Sequence, residues 1–133
     1  MFMEESSKRN APCRVLIIDD LPLIAMQLSL MLKSEGFDVV DTAINGAQGV
    51  EKYKILYPNI DLVTLDISMP VLDGVVALKN ILEFDKQAKV IMVSATDDTD
   101  VVKKCLQMGA KSYIVKPLDK DKVLQRVIPV IRQ

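Results

Sequence analysis

The chain has 133 residues, 17 of them basic and 18 acidic, for a net charge of -1, and half of its residues are apolar. That length suits one domain with a real core, and the near-neutral balance argues against direct nucleic-acid binding through a basic face. There is no histidine. This excludes Ser-His-Asp and Cys-His catalysis, histidine zinc sites and a phosphohistidine intermediate, so any chemistry rests on carboxylates, hydroxyls and lysines.

The first residues, 1–11, are polar (Glu4, Glu5, Ser6, Ser7, Lys8, Arg9) and read as a flexible leader, not as a secretory signal. A single folded domain is expected over 12–133. Val15-Leu16-Ile17-Ile18 is a short, branched apolar run, predicted as the first strand. A helix follows from near Pro22, a residue suited to a first helical turn, and stops at Gly36. At 100° per residue, Ile24, Leu28, Met31 and Leu32 form its core face. Leu23, Met26 and Leu30 form a second apolar stripe nearer solvent, read either as a docking surface for a partner or as a burial or dimer contact.

Asp38-Val39-Val40-Asp41 predicts a weaker strand at a sheet edge, and a second helix spans about Ala47 to Tyr57, before Pro58. Leu62-Val63-Thr64-Leu65 is the third strand, and Asp73-Gly74 reads as turn chemistry opening a helix from Gly74 to about Phe84. Val90-Ile91-Met92-Val93 is the fourth strand, with a helix from about Asp100 to Met108. Tyr113-Ile114-Val115 is the fifth strand, and the last helix starts after Asp119, a candidate N-cap. Pro129 deprives the Gln125 carbonyl of its helical partner, which predicts a kink or an end near Ile128.

Continuous apolar runs, rather than alternating ones, imply strands covered on both faces. Five strand-helix pairs then give a doubly wound α/β domain with a parallel five-stranded sheet. No apolar stretch approaches the ~20 residues of a membrane span. Cys13 and Cys105 are far apart with no C-x-x-C spacing, as in a chain kept in a reducing cytoplasm.

Polar residues punctuate the strand ends. Asp19-Asp20 follows the first strand, Asp66 the third, Ser94 the fourth and Lys116 the fifth. In open α/β sheets, sites form outside the carboxyl ends of the strands. Three converging carboxylates repel one another and raise their own pKa values. A divalent hard cation relieves that repulsion, and a site with few protein oxygens and several waters suits magnesium. Read one at a time, Asp19-Asp20 is also a candidate helix-capping turn, Ser94 a cap and Lys116 a surface lysine.

Asp66-Ile67-Ser68-Met69-Pro70-Val71-Leu72-Asp73-Gly74, with Asp19-Asp20, Ser94-Ala95 and Lys116-Pro117 at their strand ends, resembles the receiver domain of two-component response regulators. The resemblance extends from about Cys13 to Arg132 and implies a flavodoxin-like sheet of order 2-1-3-4-5. It implies that Asp66 is the phosphoacceptor, taking a phosphoryl group from a histidine kinase or histidine phosphotransfer protein. Asp20 and Asp66 would hold Mg2+ through side chains, Ser68 through its backbone carbonyl and Asp19 mainly through water. Lys116 and Ser94 would contact phosphoryl oxygens, small Ala95 would keep the pocket open, and Tyr113 would be the switch aromatic. The Lys116-Pro117 bond resembles the family's cis peptide, which aims the lysine. Ser68 and Thr96 occupy positions that tune hydrolysis in the family. Leu118 replaces the aromatic residue often found after Lys-Pro.

The implied function is a stand-alone, cytoplasmic regulator whose phosphorylation controls binding to a protein target. The region from Asn45-Gly46 to Tyr57 and the end of the chain soon after the fifth helix look most like a chemotaxis regulator acting on a flagellar switch. A phosphorelay intermediate or phosphate sink would use the same residues. An aspartate-nucleophile phosphohydrolase would need a carboxylate two residues after the nucleophile, where Ser68 stands. A flavin site would need a Ser/Thr/Gly-rich loop after the first strand, which is missing.

Overall fold

The structure, a computed structural model, describes residues 11–69, 71–95 and 99–133. The leader apart from Ala11, Pro70 and Thr96 therefore lie outside the described residues. Strands and helices alternate as β1 (Arg14–Ile18), α1 (Pro22–Lys33), β2 (Asp38–Ala43), α2 (Gly46–Leu56), β3 (Leu62–Asp66), α3 (Gly74–Phe84), β4 (Val90–Ser94), α4 (Thr99–Met108), β5 (Ser112–Val115) and α5 (Lys120–Ile131). The strands form one parallel sheet in the order β2-β1-β3-β4-β5.

Side chains alternate across this sheet, and each face has its own helices to bury against. Val15, Ile17, Leu62, Ile91, Val93 and Ile114 point toward α1 and α5, where Leu28, Leu32, Val123, Val127 and Val130 meet them. Leu16, Ile18, Val63, Leu65, Val90 and Met92 point the other way, onto Val50 and Tyr53 of α2, Ala77, Leu78 and Ile81 of α3, and Val102 and Cys105 of α4. Cys105 is buried on this face and Cys13 packs on the other, so the sheet separates the two.

Side chains set several helix starts. Asn45 accepts from the Gln48 N–H at 2.8 Å, Asp73 from the Val76 N–H at 3.0 Å and Asp119 from the Lys122 N–H at 3.3 Å. Asp119 is thus the cap expected of it, and Asp73, read as turn chemistry, also caps its helix. Helix α1 has no side-chain cap; Asp19 instead accepts the Leu21 N–H at 2.9 Å in a turn ahead of Pro22. Its outer stripe is as expected: Leu23, Met26 and Leu30 are 61%, 54% and 63% exposed.

The expected end of α5 near Ile128 is corrected: the helix runs through Pro129 to Ile131. Proline removes one N–H near the helix end, while Val130, beyond it, is buried against Val123 and Val127 and holds the last turn down. Strand β2 is also longer than expected, reaching Ala43, because its final residues continue the register with Ile17 and Ile18 of β1.

Candidate functional site: an acidic pocket at the carboxyl ends of the strands

Parallel register brings the polar strand ends together. Ile18 pairs with Leu65, so Asp19 lies beside Asp66; Asp66 is level with Val93, and Ser94 with Val115, the residue before Lys116. Backbone bonds fix the exits: the Asp19 N–H donates to the Ala43 carbonyl at 3.0 Å, Ile67 N–H to Val93 at 3.0 Å and Lys116 N–H to Ser94 at 2.8 Å.

Asp19, Asp20 and Asp66 each offer a carboxylate oxygen within 4.8 Å of the others. Asp19 and Asp66 are buried, and Asp20 is half-buried. Lys116 Nζ lies 3.4 Å from Asp66 Oδ1 and 3.9 Å from Asp19 Oδ2. Burial, followed by the charge of Asp19, pushes the Asp66 carboxyl up to about 6, against the pull of Lys116. Burial likewise raises Asp19, against its bond from the Leu21 N–H and the charge of Lys116. One ammonium therefore does not balance the carboxylates that share it. Buried oxygens in excess of cationic partners fit a hard divalent cation.

Ser94 Oγ is buried and has no hydrogen-bond partner among the described residues. A buried hydroxyl without a partner is costly, and this one stands at the end of the strand next to Asp66. Thr64 Oγ1, farther back on β3, shares that condition. Ser68 and Ala95 are exposed beside the pocket, and the Lys116-Pro117 bond is cis.

The structure thus brings Asp19, Asp20, Asp66 and Lys116 together, with Ser94 beside them. Tyr113 is half-buried on β5 and packs against the α2-α3-α4 face; the Arg126 guanidinium lies over its ring, 4.4 Å from the centroid. Sequence reasoning passed over Arg126, because no local spacing links a strand aromatic to a cation on the following helix. It also passed over the glycines of α2, although two glycines in a short helix are themselves a signal of close packing.

Residues 15–128 match the family model of the response regulator receiver domain. The chain is 54% identical over 123 residues to the chemotaxis protein CheY of Treponema pallidum, a match covering 92% of this chain and 85% of the relative. It is 48% identical to CheY of Bacillus subtilis, covering 86% of this chain and 93% of the relative. Its fold superposes with a TM-score of 0.89 and 54% identity on CheY in a crystal structure of the CheX-CheY-BeF3-Mg2+ complex from Borrelia burgdorferi, covering 92% of each chain. With the strand order, the strand-end acids and these matches in agreement, the chain belongs to the response regulator receiver family and is a homologue of the CheY chemotaxis proteins.

Proposed function

We propose that this protein is a response regulator that accepts a phosphoryl group on Asp66 from a histidine kinase or histidine phosphotransfer protein and signals through phosphorylation-dependent protein binding. The supporting observation is the buried Asp66 carboxylate, crowded by Asp19 and Asp20, paired with Lys116 and standing beside the Ser94 hydroxyl, which has no partner among the described residues. Mg2+ would be held by the side chains of Asp20 and Asp66 and the backbone carbonyl of Ser68, with Asp19 acting mainly through water. When bound, it supplies charge that offsets both the carboxylates and the phosphoryl oxygens.

An Asp66 carboxylate oxygen attacks phosphorus in line as the bond to the donor imidazole nitrogen breaks, and the imidazole leaves with the bonding pair. Lys116, already at Asp66 Oδ1, follows the charge onto a phosphoryl oxygen. Ser94 donates its hydroxyl to a second phosphoryl oxygen, and Ala95 leaves that approach open. Tyr113 is the proposed switch, its ring turning inward as Ser94 moves toward the phosphoryl group. Pro117 follows Lys116 at the pocket edge, and Thr96, outside the described residues, belongs to the proposed hydrolysis-tuning pair with Ser68. With no histidine in the chain, the donor is another protein or a small phosphodonor.

Leu23, Met26 and Leu30 of α1 are proposed to dock that donor. The output we propose is chemotactic, through a flagellar switch, with a CheX-like protein as a further partner in view of the Borrelia complex. Receiver proteins of this kind are signalling proteins, not classical enzymes. Among the described residues no helix is long and apolar enough to cross a membrane, and the cytoplasm is the proposed setting.

Intact mass after incubation with acetyl phosphate tests the reading. One phosphoryl adduct is expected, requiring Mg2+ and lost in Asp66→Asn. The absence of an adduct in the unmodified chain, with rapid quenching, would overturn it.

A further inference from the structure

Helix α2 contributes no polar side chain to the acidic pocket, yet it touches both sides of its frame through glycines. A Cβ on Gly46 would overlap the carbonyl oxygen of Leu72 and lie 3.0 Å from that residue's carbonyl carbon and Cβ. Leu72 belongs to the β3-α3 loop, which also carries Ser68. A Cβ on Gly49 would stand 2.5 Å from Cδ1 and 2.8 Å from Cγ1 and Cγ2 of Ile18. Ile18 ends β1 and immediately precedes Asp19-Asp20. Three residues apart, the two glycines share one helix face.

Both partners of this contact are held in place. The helix start is locked by the Gln48 N–H to Asn45 Oδ1 bond at 2.8 Å and by the Ile44 N–H to Gln48 Oε1 bond at 2.9 Å. Farther along, Lys52 Nζ ties α2 to the Thr42 carbonyl at 2.6 Å. The β3-α3 loop is closed by Gly74 at its α3 end, whose N–H donates to the Ile67 carbonyl at 2.8 Å and whose Cβ would overlap the Asp66 carbonyl oxygen. Within the loop so closed, next to Leu72, Val71 has φ 71°, a left-handed conformation that a β-branched residue adopts only where its surroundings impose it.

We infer that Gly46 and Gly49 are positioning residues for the acidic pocket: by letting α2 lie against both Leu72 and Ile18, they set the separation between Asp19-Asp20 on one side and Asp66-Ser68 on the other. The inference rests on the magnesium reading above. A methyl at Gly46 meets backbone, so the loop must move. A methyl at Gly49 meets a side chain, and the displacement passes through Ile18 to the acids after it.

The test is Mg2+ affinity by calorimetric titration of the wild type, Gly46→Ala, Gly49→Ala and Ile18→Val/Gly49→Ala. Ile81→Val, a core change on α3, serves as the control for general loss of stability. Both glycine variants are expected to bind Mg2+ about ten- to a hundredfold more weakly, whereas Ile81→Val keeps the wild-type affinity. Ile18→Val/Gly49→Ala, which removes the nearest clashing atom, should recover part of the loss. In metal-free protein, the Gly74 amide should exchange faster in Gly46→Ala than in the control. If Gly46→Ala does not fold, Gly49→Ala and its rescue decide. Wild-type affinity in the folded glycine variants would overturn the inference while leaving the reading of the site intact. A wild type that binds no Mg2+ would overturn the magnesium reading and the inference with it.

Discussion

Tyr53, near the amino ends of the strands, and Asp66, at their carboxyl ends, are both buried beside a carboxylate. The Tyr53 hydroxyl donates to Asp85 Oδ2 at 2.6 Å, and Asp85 Oδ1 accepts the Gln87 N–H at 3.1 Å. Burial and Asp85 raise the phenol pKa, so it keeps its proton and the pair is matched, one donor to one acceptor. Around it the Tyr53, Tyr57 and Phe84 rings pack with centroids 5.2 to 6.4 Å apart, two of the three contacts edge to face. Asp66 has Asp19 for a neighbour, which offers it another acceptor and another negative charge, and Lys116 has to serve both. One end of the sheet therefore supports the fold, while the other stores electrostatic repulsion for a ligand to relieve.

Substitutions at the two ends should act in opposite directions. The largest expected effect is at Asp66: Asp66→Asn should abolish the phosphoryl adduct in intact mass and yet raise the thermal midpoint of the metal-free protein near pH 7, because it removes a buried charge. Tyr53→Ala should do the reverse, costing about 3–5 kcal/mol in urea unfolding while leaving the adduct intact under native conditions. A pocket-like loss of phosphorylation in Tyr53→Ala would break the division between the two ends.

The next effect is on pH dependence. The folded Asp66 carboxyl titrates at about 6, above its ordinary value of 3.8. The native state therefore holds the proton that the unfolded chain gives up across that window. Metal-free stability should fall as pH rises from about 4 to 6 and then level off, and this slope should shrink in Asp66→Asn, measured by urea unfolding at each pH. Asp19, also raised by burial, contributes with the same sign. The smallest effect belongs to the α1 stripe. Leu23→Ala with Met26→Ala should slow phosphotransfer from a histidine donor and leave acetyl phosphate labelling unchanged; equal slowing of both would remove the docking role.

Much of this was legible in the sequence, for identifiable reasons. Apolar runs such as Val90-Ile91-Met92-Val93 read as two-sided strands because helices cover both faces of the sheet. In a parallel sheet the residues following such runs must gather at one edge, so strand order alone groups Asp19, Asp20, Asp66, Ser94 and Lys116. Burial of Val130 was less legible: the proline rule alone ended α5 too early, because the packing that holds its last turn is tertiary. The contacts of Gly46 with Leu72, Gly49 with Ile18 and Arg126 with Tyr113 join segments distant in the chain or set at an angle in space, and no periodicity encodes such approaches.

The most direct test of the account is an NMR titration of the Asp66 carboxyl carbon, without and with Mg2+. The account predicts a midpoint near pH 6 in metal-free protein and a clear fall when Mg2+ is added, as the cation replaces the missing positive charge. A midpoint at the ordinary carboxylate value, unmoved by Mg2+, would contradict it.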